Sequence, residues 1–439
     1  MVSPARSAAQ EVLTRVLTGS EHLHTALVRT LGSMRLSADD AALATQIARG
    51  ATTWRLLLDH WSDALCDRPG GVREPALRAV VHAALFQLRM LSRIPDYAAV
   101  DDAVELAKRC TPAAAGFVNA ILRRATRERP YVEPAFDRDP ALMAAPVAEV
   151  ALRLSYPRWL VRDTVARFGR ERGLSILLAG NVRPLQTVRV NGLRSTQDGV
   201  LRALAEEGVA ALPSPTLASS VRLSHGGDVT RLNAYAEGLF TLQGESSMRI
   251  APLLDPLPGQ SLLDACAAPG GKATHLAELT GDRADVLAVD VSEVRARAIA
   301  GQATRLGLSG VRVRTADVRR VRSAFDGVLL DALCSGIGAI ARKPDIKWRL
   351  SPTDPARLAT IQAQLLEHVA GCVTAGGRLV YAVCTLTTVE THGVVEAFEQ
   401  RHPEFVRDPI ADGDAEGHLV LLPDEHTGDG FFAARFRRI

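Results

Sequence analysis

The chain has little of what marks a metalloprotein, a secreted scaffold or a membrane protein. Its six cysteines, Cys66, Cys110, Cys266, Cys334, Cys372 and Cys384, form no C-x-x-C pair, and no histidine stands at finger spacing from them. That excludes a zinc finger and a disulfide frame, and reads the thiols as reduced. No run approaches the roughly 18 uninterrupted apolar residues that a membrane helix needs. Met1 to Gln10 lacks the basic flank and apolar stretch of a secretory signal. The expectation is a cytoplasmic protein that binds no metal and no membrane. Net charge is nearly absent as well: 52 basic against 49 acidic residues leave +3, too small an excess to argue for nucleic acid by itself. Internal repeats and low-complexity tracts are missing, which removes solenoids and biased linkers from consideration.

What is present is globular. With 439 residues, 47% hydrophobic and 23% charged, the chain is long enough for two or three domains. Nothing indicates a dimer, so a monomer is expected. The basic residues do cluster: Lys108, Arg109, Arg123, Arg124, Arg127 and Arg129; then Arg312, Arg314, Arg319, Arg320 and Arg322; then Arg342, Lys343, Lys347 and Arg349. Solvated helix faces and phosphate contacts both account for such groups.

Hydrophobic periodicity divides the chain. Leu77, Val80, Val81, Ala84, Leu85, Leu88 and Leu91 recur at helical spacing. Ala98 to Lys108 and Ala113 to Arg124 repeat the pattern, with Thr111 and Pro112 as cap and first helical position. Residues 1–130 are therefore read as an all-α module, and the proline-rich stretch 131–150 as a linker. Residues 151–238 mix a helix (Trp159 to Phe168), a strand (Gln186 to Val190) and a helix (Gly199 to Glu207), a small α+β unit. Residues 239–439 alternate short apolar strands (Ser261 to Ala265, Val286 to Val289, Val311 to Arg314, Gly327 to Leu330, Arg378 to Val383) with helical segments. That is the rhythm of a mostly parallel, Rossmann-like α/β domain with its site at the strand carboxyl ends.

The first of those strands runs into a glycine turn, Cys266-Ala267-Ala268-Pro269-Gly270-Gly271-Lys272. Glycines there permit close backbone approach to a ligand. Neither the dinucleotide fingerprint nor the phosphate loop fits, because Cys266 stands at the first glycine of G-x-x-x-x-G-K-[ST] and Ala273 at the hydroxyl position. Asp290 closes the second strand, where a carboxylate can accept from both ribose hydroxyls, and Asp317 ends the third, where it can accept from an adenine amino group. A nucleoside without a required pyrophosphate is expected, and S-adenosylmethionine fits.

Asp331 and Cys334 follow the fourth strand, and Cys384 follows a later one. A cysteine after a strand is commonly just a small apolar residue; two thiols beside an adenosine site form a less ordinary set. Carbon 5 of a cytosine is a poor nucleophile, and methylating it requires a thiolate to add at C6. Addition is eased by an acid at N3, a task that suits Asp331. A positive neighbour such as Lys272 favours a thiolate. Residue chemistry alone does not rank the two cysteines.

At these residues the chain resembles the Nop/Sun family of RNA cytosine-5 methyltransferases. The likeness is carried by Asp264 to Lys272, Asp331 to Ser335, Arg342 to Trp348, Leu242 to Ser247 and Gly428 to Ala433, and it covers nearly the whole chain. Ala113 to Arg123 resembles a NusB-like RNA-binding domain. The resemblance implies a multidomain protein: an all-α NusB-like bundle, a small RRM-like α+β module and a class I methyltransferase domain. It implies S-adenosylmethionine as cofactor and RNA as partner, 16S ribosomal RNA alone or in a partly assembled small subunit. It also implies Cys266, Ala267, Ala268, Pro269, Gly270, Gly271, Lys272, Asp290, Asp317 and Asp331 at the cofactor or base, Cys384 as nucleophile and Cys334 as the thiol that aids release. Four positions depart from the pattern: Leu333 and Thr388 replace prolines, Val383 a threonine and Val389 a glutamate, so a different setting of the loop after Cys384 is expected. A catalytically weak RNA-binding assembly factor, and a methyltransferase of the same fold with a non-RNA substrate, are the rival readings.

Overall fold

The computed structural model describes residues 2–66, 71–128, 132–224, 227–411, 413–423 and 428–439. Arg129 and Pro130, read above as a basic-cluster member and as the end of the bundle, lie outside the described residues. The chain divides into two compact units: residues 1–182 with 343–350, and residues 183–342 with 351–439.

The first unit is helical. Its central helix, Pro75–Met90, starts with proline at the first helical position, and Glu74 accepts from the Ala76 and Leu77 N–H groups. Leu77, Val80, Val81, Ala84 and Leu85 are buried as their spacing predicts. Around it pack Pro4–Leu17, Arg55–Leu65, Asp96–Cys110 and Ala115–Arg127. The expected start at Thr111–Pro112 is corrected: Pro112–Ala114 is a separate 3-10 turn, Thr111 makes no side-chain cap bond, and the α-helix begins at Ala115. The stretch read as a linker carries the short helices Pro140–Ala144 and Val147–Arg153. These, with Arg158–Phe168 and Arg170–Ala179, lie in the first compact unit. Leu142, Val150, Leu154, Leu160 and Leu174 are buried, as expected of helices that carry an apolar face.

The second unit holds two sheets. The smaller is antiparallel, ordered β2-β3-β1-β4, from β1 (Gln186–Val190), β2 (Ala211–Pro213), β3 (Ser220–Leu223) and β4 (Phe240–Leu242). Helix Gln197–Glu206, capped by Thr196, packs on it. The larger contains β5 (Ser261–Asp264), β6 (Asp285–Asp290), β7 (Val311–Thr315), β8 (Phe325–Asp331), β9 (Val373–Val383), β10 (Phe405–Arg407), β11 (Leu419–Leu421) and β12 (Phe431–Arg438). Its order is β10-β12-β9-β8-β5-β6-β7, with β11 paired to β12. Strands β5 to β9 pair in parallel and β12 runs antiparallel beside β9. Chain order reverses between β5 and β8, and at such a switch point the crevice for a ligand opens at the strand carboxyl ends. In this sheet the expected strands are present, β9 beginning at Val373 rather than at the expected Arg378; β10, β11 and β12 are additional.

Candidate active site

β5 ends at Asp264, and the chain turns through Cys266–Gly270 into the helix Gly271–Leu279. The Ala267 N–H donates to the Val289 carbonyl of the neighbouring strand at 2.9 Å, and the Gly270 N–H returns to the Ala267 carbonyl at 2.7 Å. Gly270 has φ +106°, and a Cβ there would stand 3.2 Å from the Ile299 Cα, so both conformation and space demand glycine. A buried arginine from the small sheet braces the turn from behind. Arg189 donates to the Gly271 carbonyl at 2.6 Å, to Thr274 Oγ1 at 3.0 Å and to both carboxylate oxygens of Glu278 at 2.7 and 3.1 Å.

The turn opens on a basin of negative charge. Asp264, Asp290 and Asp331 are the last residues of β5, β6 and β8, and Asp317 lies two residues beyond β7. Burial, helped by the charges of Asp264, Asp331, Asp290 and Asp317, pushes the Cys266 thiol up to about 12. Cys266 is therefore held as a thiol, unsuited to nucleophilic attack. Asp264 is fully buried, and burial pushes it up to about 7 against the pull of Lys272 and of the Ala273 N–H. Asp290 accepts from the Ser292 N–H at 2.9 Å through Oδ1, while Oδ2 has only Arg295 at 3.9 Å. Asp317 is corrected in its placement: it does not end the strand but caps a 3-10 turn, where its carboxylate accepts from the Arg319 N–H and guanidinium. Those bonds hold it down at about 2. Such a basin suits a cationic nucleoside better than a phosphate. S-adenosylmethionine carries a sulfonium and an ammonium, so the residues present fit it.

Lys272, in the first turn of the helix, places Nζ 2.5 Å from Asp331 Oδ2 and 5.3 Å from the Phe431 ring centroid. Burial works against its charge, but Asp331, Asp264 and Cys384 outweigh it and raise its pKa. The acid expected at Asp331 thus has an ammonium as its neighbour rather than an apolar enclosure.

The two thiols converge. Cys334 follows β8 and Cys384 follows β9, strands paired with Asp331 opposite Ala382, and their Sγ atoms lie 3.4 Å apart. The Cys334 thiol is pushed well above its usual range by its hydrogen bond to Cys384, by burial and by nearby negative charge. A close backbone crossing ties the surrounding loops. The Gly338 N–H donates to the Cys384 carbonyl at 3.0 Å, and the Gly430 N–H donates to the Gly338 carbonyl at 2.8 Å. A Cβ on Gly338 would fall 2.2 Å from the Gly430 oxygen, so only glycine lets the Gly428 to Ala433 segment approach this closely.

Sequence reasoning missed Glu390, which is fully buried behind the thiols. Its Oε1 accepts from the Ser335 N–H at 2.8 Å and from Gln362 at 3.0 Å. Its Oε2 accepts from Ser335 Oγ at 2.5 Å, Thr387 Oγ1 at 2.8 Å and Thr385 Oγ1 at 3.1 Å. No periodicity or spacing points to a glutamate six residues past a cysteine. Asp264 and Arg189 also escaped notice as site residues. Of the four departures, Leu333 and Val389 point outward and Val383 is buried, while Thr388 opens a 3-10 turn that ends at Glu390.

The third basic cluster is corrected. Lys347 is buried in the helical unit, where Nζ bonds the carbonyls of Thr53 and Ser155 at 3.3 and 3.2 Å and the Asn181 side chain at 2.5 Å. Arg349 bonds the Gly19 and Glu21 carbonyls. Arg342, in the other unit, pairs with Asp429.

Comparison with known proteins agrees with this geometry. Residues 251–437 match the family model "16S rRNA methyltransferase RsmB/F", residues 3–127 the NusB family, and residues 156–230 the ferredoxin-like domain of RsmF/B-like methyltransferases. The probable ribosomal RNA small subunit methyltransferase B of Bacillus subtilis is 34% identical over 99% of this chain and 98% of its own. The ribosomal RNA small subunit methyltransferase B of Pseudomonas putida is 33% identical over 99% and 98%. In fold, the crystal structure of PH0851 is similar with TM-score 0.84 at 24% identity, covering 100% of this chain and 99% of that one. The structure of NSun6 from Pyrococcus horikoshii with SFG is similar with TM-score 0.59 at 21% identity, covering 64% and 98%. A cofactor basin, two apposed thiols and full-length kinship meet in one conclusion: the chain belongs to the ribosomal RNA small subunit methyltransferase B family and methylates ribosomal RNA with S-adenosylmethionine as methyl donor.

Proposed function

We propose that the chain methylates carbon 5 of a cytosine in 16S ribosomal RNA through a transient bond between Cys384 Sγ and carbon 6 of the base. The observation that carries this reading is the 3.4 Å approach of the two sulfurs beside the Lys272–Asp331 pair. Methyl transfer to nitrogen or oxygen needs no thiol, whereas the cytosine ring must gain electrons from a nucleophile before carbon 5 can accept an electrophile. S-adenosylmethionine supplies that electrophile when bound, as a methyl group on a sulfonium. Asp264 to Lys272, Asp290 and Asp317 would hold it.

Lys272 keeps positive charge near Cys384. As sulfur adds at carbon 6, the electron pair moves into the ring, and the Lys272–Asp331 pair supplies a proton at N3. Cys334 stays a thiol, so its S–H is available to Cys384. Once the carbon 5 proton has left to a base, the C6–S bond breaks, and Cys334 donates a hydrogen bond to the departing sulfur. We assign the helical residues 1–130 to RNA binding, residues 151–238 to an accessory module and residues 239–439 to catalysis, in a monomer acting in the cytoplasm on rRNA or an assembling small subunit.

Cys384→Ala abolishes methylation of unmodified 16S RNA. Cys334→Ala accumulates a protein–RNA adduct that migrates slowly on a denaturing gel, and Cys384→Ala does not. Bisulfite mapping locates the cytosine. Full turnover by Cys384→Ala refutes the covalent route; an adduct with that variant instead of Cys334→Ala exchanges the roles of the two thiols.

A further inference from the structure

The neighbours of both thiols are tied to one side chain. On one side of Cys334, the Leu333 carbonyl accepts from Gln362 Nε2 at 2.9 Å, and the same nitrogen donates to Glu390 Oε1 at 3.0 Å. On the other side, the Ser335 N–H and Oγ both donate to Glu390. Next to Cys384, the Thr385 hydroxyl donates to Glu390 Oε2 and lies 2.7 Å from Ser335 Oγ. Tyr381 of β9 closes the arrangement, its hydroxyl donating to the Glu390 carbonyl at 2.7 Å with the Gln362 oxygen 3.0 Å away. Ion pairs are absent from this set: the buried carboxylate is satisfied entirely by neutral donors. A buried carboxylate stripped of them is heavily destabilised, so it holds its donors, and with them both loops, in one arrangement.

We propose that Glu390 is a positioning residue of the methyl-transfer site, a buried carboxylate that clamps the loop carrying Cys334 to the loop carrying Cys384 and holds the two sulfurs at contact distance. The proposal rests on the two-thiol reading above. Glu390 touches neither sulfur in the hydrogen-bond set and acts through Ser335, Thr385 and Gln362. Its negative charge also contributes to keeping Cys334 protonated, in line with a division of labour between the thiols.

The test uses the full chain. Dibromobimane becomes fluorescent when it bridges two neighbouring thiols; it is expected to bridge Cys334 and Cys384 in the wild type and to fail in Cys334→Ala. Glu390→Ala is expected to lower the bridging rate at least about tenfold and kcat about 100-fold, the scale of an ångström-sized misplacement of reacting groups. KM for RNA and for S-adenosylmethionine should stay within about threefold, because substrate binding is not what the clamp supplies. Glu390→Gln is expected to restore most of both, because its oxygen still accepts from Ser335 and Gln362 while the hydroxyls rotate to accept from the amide. Should Glu390→Ala fail to fold, Thr387→Val and Ser335→Ala each remove one donor and are expected to lower the bridging rate in smaller steps. Unchanged bridging in folded Glu390→Ala, or in both donor variants, overturns the proposal. Full turnover by Cys384→Ala defeats the covalent mechanism instead and leaves the bridging result standing.

Discussion

Two buried charges, one in each unit, carry out the same task with opposite chemistry. Lys347 sits under the helices with two carbonyls, one amide oxygen and the Tyr156 ring, whose centroid is 3.6 Å away. Glu390 sits behind the thiols with a backbone N–H, an amide and three hydroxyls. Among the described residues neither has an oppositely charged partner. Each is satisfied by neutral dipoles fixed to several chain segments, and each thereby pins a loop. A buried ion pair is weak evidence for stability; a buried ion saturated by dipoles from distant segments is a staple. Asp264 supplies the contrast, a buried carboxylate with no side-chain hydrogen bond among the described residues.

If saturation is what makes such charges tolerable, Asp264 is the weak point and shows the largest effect. Its folded pKa of about 7 lies above the ordinary 3.8 of an aspartate, so the native chain binds more protons than the unfolded one between those values. Stability should therefore fall as pH rises from about 4 to about 7, by on the order of 4 kcal/mol at most. Urea unfolding at several pH values checks this, and Asp264→Asn should flatten the slope; an unaltered slope means that the carboxyl finds a partner. Lys347 comes next. Replacement by methionine strands three acceptors at about 1 kcal/mol each, offset in part by relief of ammonium burial, for a net loss of about 2 kcal/mol. Burial lowers the Lys347 pKa well below its ordinary 10.5. The native unit thus binds fewer protons than the unfolded chain across the alkaline window below 10.5, and stability there rises with pH. Lys347→Met should remove that rise, measured by denaturant unfolding. The smallest effect belongs to an exposed pair. Arg312 and Asp285 are 2.5 Å apart with side chains 60% and 49% exposed, and Arg312→Ala should change stability by less than about 0.5 kcal/mol. A larger loss would show that geometry alone can make a surface pair strong.

The cofactor side of the site was far more legible in the sequence than the thiol side. Asp290 and Asp331 announce themselves at the ends of apolar runs, and the glycine turn follows another such run directly, so local pattern nearly suffices. Lys347 looked like part of a phosphate-binding group because sequence proximity to Arg342, Lys343 and Arg349 says nothing of burial. β12 went unread because Phe431, Phe432, Ala433 and Ala434 are buried on both faces of the sheet, which erases the alternation that signals a strand. Glu390 went unread because its partners come from the loop after β8, from β9, from the helix Asp354–Ala370 and from its own loop.

The sequence by itself determined the strands β5 to β9, the acids that end them, the glycine turn and the helical stripe of the first unit, because each depends on residues within one or two turns of chain. Only the tertiary structure decided that two sulfurs 50 residues apart stand 3.4 Å from each other, that Glu390 binds their loops together, and that residues 343–350 leave one unit to join the other. Those outcomes rest on hydrogen bonds and burial between distant segments, for which a linear pattern carries no period.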